Sequence, residues 1–123
     1  MKYSLEDFLE LKSSFNSNKK VRILSGSMEP FIYKDDIIIV SPKEIDSLQK
    51  GDVIIFWKDN KLICHLFHRF EKVLSQDCLI TKGINSKKYD SPVQRKFFLG
   101  VIAEPKVTIL KRVFFKLYLF FSR

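Results

Sequence analysis

The chain has 123 residues, of which 46% are hydrophobic and 29% charged. This composition indicates one globular domain with a single modest core and excludes a disordered chain. The 22 basic and 14 acidic residues give a net charge of +8, so the composition is compatible with an anionic partner or surface. Two cysteines are too few for a disulfide framework, and we expect reduced thiols.

No segment of the sequence predicts a membrane-spanning helix or a signal peptide. The apolar runs stay below the ~18 residues that a spanning helix requires. At the N-terminus, acidic residues interrupt the first apolar positions (Glu6, Asp7, Glu10), which is not typical of a signal peptide. We therefore expect synthesis into the cytosol.

The spacing of apolar residues predicts one short helix followed by a series of strands. Leu5, Phe8 and Leu9 have helical spacing, and Ser4 with Asp7 resembles a capping box, so a helix is predicted over residues 4 to about 12. Six apolar, β-branched segments follow, separated by turn residues: 21–24, 37–40, 53–57, 62–73, 78–82 and 97–103. Strands without helices between them predict a mainly β domain with a compact antiparallel, barrel-like or coiled sheet.

The C-terminal segment predicts a second short helix. From Ile109 the apolar residues recur at helical spacing, and basic residues occupy the remaining positions. Such a helix either packs on the sheet or lies at an anionic membrane surface. The predicted organisation is an N-terminal helix and connection (1–20), a β domain (21–104) and a basic aromatic helix (105–123).

The candidate nucleophile is Ser27, within the segment Ser-Gly-Ser-Met-Glu-Pro at residues 25–30. Ser-Gly-Ser alone is ordinary turn sequence. A serine hydroxyl becomes a nucleophile when a general base lies beside it. Ser27 is therefore a candidate nucleophile only if a residue later in the sequence can act as the base.

The first candidate base is His68, in the predicted strand 62–73. Alternation places it on one face of the strand together with apolar residues (Leu62, Cys64, Leu66, Phe70) and turns His65 to the opposite face. A histidine in such a setting is either a satisfied core residue or a base at the edge of a cleft. Asp90 follows in a predicted loop, where a carboxylate is ordinarily solvated.

Four ordered segments together resemble the signal peptidase clan of serine endopeptidases. They are the serine motif at 25–30, the Gly51-Asp52 strand, the His68-Arg69 dipeptide, and Leu-Ile-Thr-Lys-Gly-Ile-Asn at 79–85, which is followed by Asp90. The spelling is most similar to the Ser-His branch of archaea and the endoplasmic reticulum. The chain resembles a small soluble member without a transmembrane helix.

This resemblance implies a serine endopeptidase that cleaves a leader or signal-like peptide bound as an added strand. It implies that Ser27 is the nucleophile, that His68 is the general base and that Asp90 fixes the imidazole tautomer. Ser25 and Met28 would belong to the oxyanion and substrate-binding region. The resemblance implies no cofactor and no metal.

Other interpretations of the same residues were weighed. His65 is a second candidate base, but it lacks the following arginine. Lys61 and Lys72, candidates for a lysine base, lie at the ends of the strand as solvated charges. Zinc has four possible ligands, which are Cys64, His65, His68 and Cys78. It is disfavoured because Cys64 and His68 are about 13 Å apart on an extended strand and His65 faces away.

Two further functions remain as alternatives. Position 84 is isoleucine where the clan has aspartate, which leaves open a catalytically degenerate module that binds peptide or a membrane surface. Nucleic-acid binding rests on net charge alone, without a recognition motif, and specific binding is not predicted.

Overall fold

The computed structural model describes residues 3–22, 37–84 and 86–104. One α-helix, α1 (Leu5–Ser13), precedes seven β-strands, which are β1 (Lys19–Arg22), β2 (Ile37–Ser41), β3 (Val53–Lys58), β4 (Lys61–Val73), β5 (Gln76–Lys82), β6 (Val93–Gln94) and β7 (Phe98–Glu104). Two single-turn 3-10 helices precede β3 and β7 (Ile45–Ser47, Arg95–Phe97). The predicted C-terminal helix lies outside the described residues.

All seven strands form one antiparallel sheet in the order β1-β2-β7-β3-β4-β5-β6. The predicted mainly β class is confirmed. Tight turns connect β3 to β4 and β4 to β5; both residues of each turn have positive φ (Asp59, Asn60, Leu74, Ser75). These two-residue connections fix the register of β3, β4 and β5.

Helix α1 covers one face of the sheet. The Ser4 hydroxyl accepts a hydrogen bond from the Asp7 amide at 3.1 Å, which caps the first turn as the sequence predicted. Phe8 is fully buried, and its ring stacks on Trp57 with centroids 6.1 Å apart. At the other end, Lys12 Nζ donates to the Lys96 carbonyl at 2.7 Å, which ties the helix to the segment before β7.

Both faces of the sheet are buried, and β4 contributes side chains to the core cluster on each face. Leu62, Cys64 and Leu66 pack under α1 in one core cluster. Phe67 belongs to a second cluster on the opposite face, where the chain around β6 covers the sheet. The alternation expected for residues 62–67 is therefore confirmed by the packing.

The long strand β4 changes partner at its middle. Residues up to Leu66 pair with β3, and residues from Leu66 onward pair with β5. In the described part of the chain, β4 beyond Phe67 therefore has a strand neighbour on one side only. β1 likewise lies at an end of the sheet order. No helix among the described residues is long and apolar enough to cross a membrane.

Candidate active site

The serine motif at 25–30 falls within residues 23–36, which lie outside the described part of the chain. Ser25, Ser27 and Met28 are among them, so their predicted roles stay predictions. The described residues do include both histidines and Asp90. The base side of the predicted site can therefore be described from its contacts.

The strand that carries both histidines contains a register shift between Phe67 and Arg69. A bulge of this kind adds a residue to one strand and interrupts alternation. Phe70 consequently packs against Phe67, with ring centroids 5.0 Å apart, in the second core cluster. Our expectation that Phe70 shares the face of Leu62, Cys64 and Leu66 was wrong, because alternation does not continue through the bulge.

Asp90 contacts His65 in the structure, whereas the resemblance implies that it orients His68; its role toward His68 stays a prediction. The Asp90 Oδ2 atom lies 2.5 Å from His65 Nδ1 and also accepts a hydrogen bond from the Thr81 hydroxyl at 2.6 Å. The physical reason is the sheet register. Thr81 is paired with Phe67, so its side chain lies on the face that Phe67 shares with His65 two residues earlier.

The backbone reinforces this arrangement. The Asp90 amide donates to the Thr81 carbonyl at 2.9 Å, which holds residue 90 beside the end of β5. The His65 ring is buried and makes an edge contact with Phe56, with centroids 5.9 Å apart. Ring and carboxylate are therefore fixed by packing on one side and hydrogen bonds on the other.

The pKa of Asp90 is lowered by its surroundings. Burial by itself raises the pKa of this carboxyl, but the hydrogen bond and charge of His65, the Thr81 hydroxyl and the charge of Lys58 outweigh burial. Asp90 is therefore a carboxylate at neutral pH. A carboxylate accepts hydrogen bonds, so His65 donates from Nδ1, and its neutral form has the lone pair on Nε2. This is the tautomer of a general base.

His68 has different neighbours. It is buried, and its ring stacks on Tyr89 with centroids 4.9 Å apart and planes 19° from parallel. Its Nδ1 atom lies 3.1 Å from Arg69 Nη1. Because a guanidinium only donates, His68 Nδ1 accepts this bond, and the neutral ring has its proton on Nε2.

Tyr89 is a site residue that sequence reasoning missed. Besides stacking on His68, its ring lies 5.3 Å from Lys82 Nζ and 5.9 Å from Arg69 Cζ, measured to the ring centroid. Lys82 is the last residue of β5 and is fully buried. The sequence signal that could have identified Tyr89 is its position next to Asp90. That position indicates a contact with the histidines only when the loop is known to fold against β4.

The Gly51-Asp52 turn supports β4 next to His68. The Gly51 amide donates to the Phe67 carbonyl and the Phe67 amide to the Asp52 carbonyl, both at 2.8 Å. The Asp52 carboxylate is buried and accepts from the Gln49 amide at 2.8 Å. Gly51 has φ of 93°, a conformation that favours glycine. The turn thus anchors the residue that precedes His68.

The position where the clan has aspartate belongs to the core here. Ile84 is buried and packs with the first core cluster, under α1. A carboxylate at this position would lose its hydration without a charged partner in that apolar cluster. Ile84 therefore contributes to the core, and the carboxylate contact that the structure shows for a histidine of β4 comes from Asp90.

Comparisons with known proteins agree with this fold. A family model described as Peptidase S24-like matches residues 3–90, a range that contains Ser27, His68 and Asp90. The chain is also similar to a protein named signal peptidase complex catalytic subunit SEC11, from Lachancea thermotolerans, with 34% identity over 87 residues. The match covers 64% of this chain and 50% of that relative, so the chain spans about half the length of the curated relative it matches.

Proposed function

This chain belongs to the Peptidase S24-like family, and we propose that it is a serine endopeptidase of the signal peptidase type. In this proposal Ser27 attacks the peptide carbonyl and His68 accepts its proton. The observation that carries the proposal is the single family match that spans the serine motif, the His68-Arg69 dipeptide and Asp90 in order. Similarity to a signal peptidase catalytic subunit supports a peptide substrate.

The chemistry requires His68 to accept a proton at the nitrogen that faces the serine. With Arg69 donating to Nδ1, the neutral ring has its proton on Nε2. Attack assisted by Nε2 therefore needs Arg69 to move off Nδ1 and the ring to change tautomer. The Arg69 side chain is 49% exposed and pairs with Glu71 at 3.2 Å, so it can leave Nδ1 toward solvent. Catalytic hydrogen bonds often form fully only with substrate bound.

Asp90 is proposed to orient the base, as the resemblance implies. Its Oδ2 atom is bonded to His65 and Thr81 in the structure, so it would serve His68 by leaving His65. A specific observation therefore favours a second candidate base: His65 already has a carboxylate on Nδ1 and, when neutral, a lone pair on Nε2. Both versions are the same reaction with a different histidine.

The proposed substrate is an extended leader or signal-like peptide that adds a strand to the sheet. β4 beyond Phe67 has a paired neighbour on the β5 side only, among the described strands. In this proposal the substrate pairs along the other side of β4, next to His68. Strand addition there would bring the peptide carbonyl close to the proposed base.

The test is covalent labelling of the full chain with a fluorophosphonate probe, which reacts with activated serines. We expect wild type to be labelled once, Ser27→Ala to lose labelling, and Ser14→Ala, a surface serine of the helix cap, to retain it. We expect His68→Gln to slow labelling about 10²- to 10⁴-fold, the usual contribution of a general base. His65→Gln should slow it far less.

Each of the other outcomes has a defined meaning. If His65→Gln abolishes labelling while His68→Gln does not, the base is His65 and the pair with Asp90 is catalytic. If folded wild type is not labelled and leaves peptides with small residues before the cleaved bond intact, the peptidase proposal is refuted. The degenerate binding module suggested by Ile84 would then be the better account.

A further inference from the structure

Two consecutive residues contact the two histidines of β4. Tyr89 stacks on His68, and Asp90 is hydrogen-bonded to His65. We propose that Tyr89 is a positioning residue that holds the His68 ring in the orientation needed for catalysis. This inference rests on the proposed function of His68 as the base. It states that the aromatic ring of Tyr89 sets the orientation of the His68 imidazole.

The segment that carries Tyr89 is anchored firmly enough to do this. The Asp90 amide donates to the Thr81 carbonyl at 2.9 Å, and the Thr81 hydroxyl donates to the Asp90 carboxylate. Thr81 is fully buried in β5. Shifting Tyr89 away from His68 would therefore strain two partly buried hydrogen bonds one residue away.

The Tyr89 ring is held by its own contacts as well. A nearly parallel stack at 4.9 Å restricts rotation of the imidazole about its χ2 angle. The buried Lys82 ammonium at 5.3 Å and the Arg69 guanidinium at 5.9 Å are within the range of cation–π attraction. Arg69 also donates to His68, so cation, tyrosine and imidazole form one packed group.

The ring of Tyr89, and not its hydroxyl, carries the proposed role. Its hydroxyl oxygen is buried and has no hydrogen-bond partner among the described residues. A buried hydroxyl without a partner adds no stabilisation. Tyr89→Phe keeps the stack and removes the hydroxyl, whereas Tyr89→Leu removes the stack, so these two variants separate the contributions.

The experiment measures the histidine rings directly and the labelling rate in parallel. The protein has two histidines, so their ring protons can be assigned by NMR using His65→Gln and His68→Gln. We expect the His68 protons to show a ring-current shift from Tyr89 in wild type and Tyr89→Phe, and to lose it in Tyr89→Leu. Fluorophosphonate labelling of Ser27 should fall about 10-fold in Tyr89→Leu and stay near wild type in Tyr89→Phe. Phe70→Leu, which removes an aromatic ring of β4 that packs on Phe67, should change neither.

The outcomes separate this inference from the proposed function. If wild type is labelled and Tyr89→Leu, shown to be folded by its amide spectrum, is labelled equally fast, the positioning role is overturned. If Tyr89→Phe is as slow as Tyr89→Leu, the hydroxyl is what matters and the ring account is wrong. If no variant is labelled, the proposed function fails, and the His68 shift alone decides whether Tyr89 orients the ring.

Discussion

Replacing Asp90 by asparagine should destabilise the protein through the two hydrogen bonds that its carboxylate accepts. Oδ2 accepts from His65 Nδ1 at 2.5 Å and from the Thr81 hydroxyl at 2.6 Å, and the side chains of Asp90 and His65 are 19% and 10% exposed. Asparagine keeps one acceptor oxygen but adds an amide that carries only donors. Because both bonds end on Oδ2, the asparagine oxygen can still accept them, but they lose the charge of the acceptor. Hydrogen bonds to a charged group contribute about 1 kcal/mol more than neutral ones, so the two together should cost about 2 kcal/mol.

The pH dependence has a defined sign because the pKa of Asp90 is lowered in the folded state. Burial raises this pKa, and His65, Thr81 and Lys58 lower it by more. The stabilisation is therefore fully present above the unfolded carboxyl pKa of about 3.9 and is lost as the pH falls through the folded value. The difference between wild type and Asp90→Asn should be constant near neutral pH and shrink below about pH 4.

Urea unfolding at several pH values checks both claims. Asp77→Asn is the matched control, because Asp77 is an exposed carboxyl on β5, and its effect should stay within about 0.5 kcal/mol. A loss no larger than that of Asp77→Asn at pH 7 would show that the His65–Asp90 contact contributes nothing. A difference that stays constant down to pH 3 would refute its assignment to the charged carboxylate.

Two other predictions concern the core. Gly100→Ala should lower the free energy of unfolding by about 1–3 kcal/mol. An added Cβ would lie 2.4 Å from the Ser41 carbonyl oxygen and 3.0 Å from Val40 Cγ1, so β2 would have to move. An unchanged urea midpoint would contradict this. Burial raises the pKa of the Cys64 thiol, and Cys78 is buried as well. A thiol-specific disulfide reagent should therefore modify both cysteines only as the chain unfolds. Rapid modification of Cys64 in the native protein would show that the core is open there.

The strands were predictable because their determinants are local. Alternating apolar residues bounded by turn residues identified β2 to β5 and β7, and Ser4 with Asp7 identified the start of α1. β6 has two residues and pairs only with Cys78 and Leu79, so it is too short to leave a periodic pattern. The two single-turn 3-10 helices were likewise not predicted, because their positions depend on how the chain enters β3 and β7.

The pairing of Asp90 was not predictable because it depends on geometry that no local pattern encodes. Alternation places His65 on the face of Phe67, but it does not say which face a carboxylate 25 residues later will approach. That choice follows from the register of β5, which puts Thr81 beside Phe67, and from the amide of Asp90 bonding to the Thr81 carbonyl. Similarly, the bulge that moves Phe70 to the other face appears only when β4 and β5 are paired.

Two departures from the clan pattern have a common physical consequence. Ile84 fills the first core cluster where the clan has aspartate, and His65 binds the carboxylate of Asp90. Within the described residues, the contacts seen for His68 are therefore the Tyr89 ring and the Arg69 guanidinium. If His68 is the base, as we propose, its proton transfer depends on whether substrate displaces Arg69 from Nδ1.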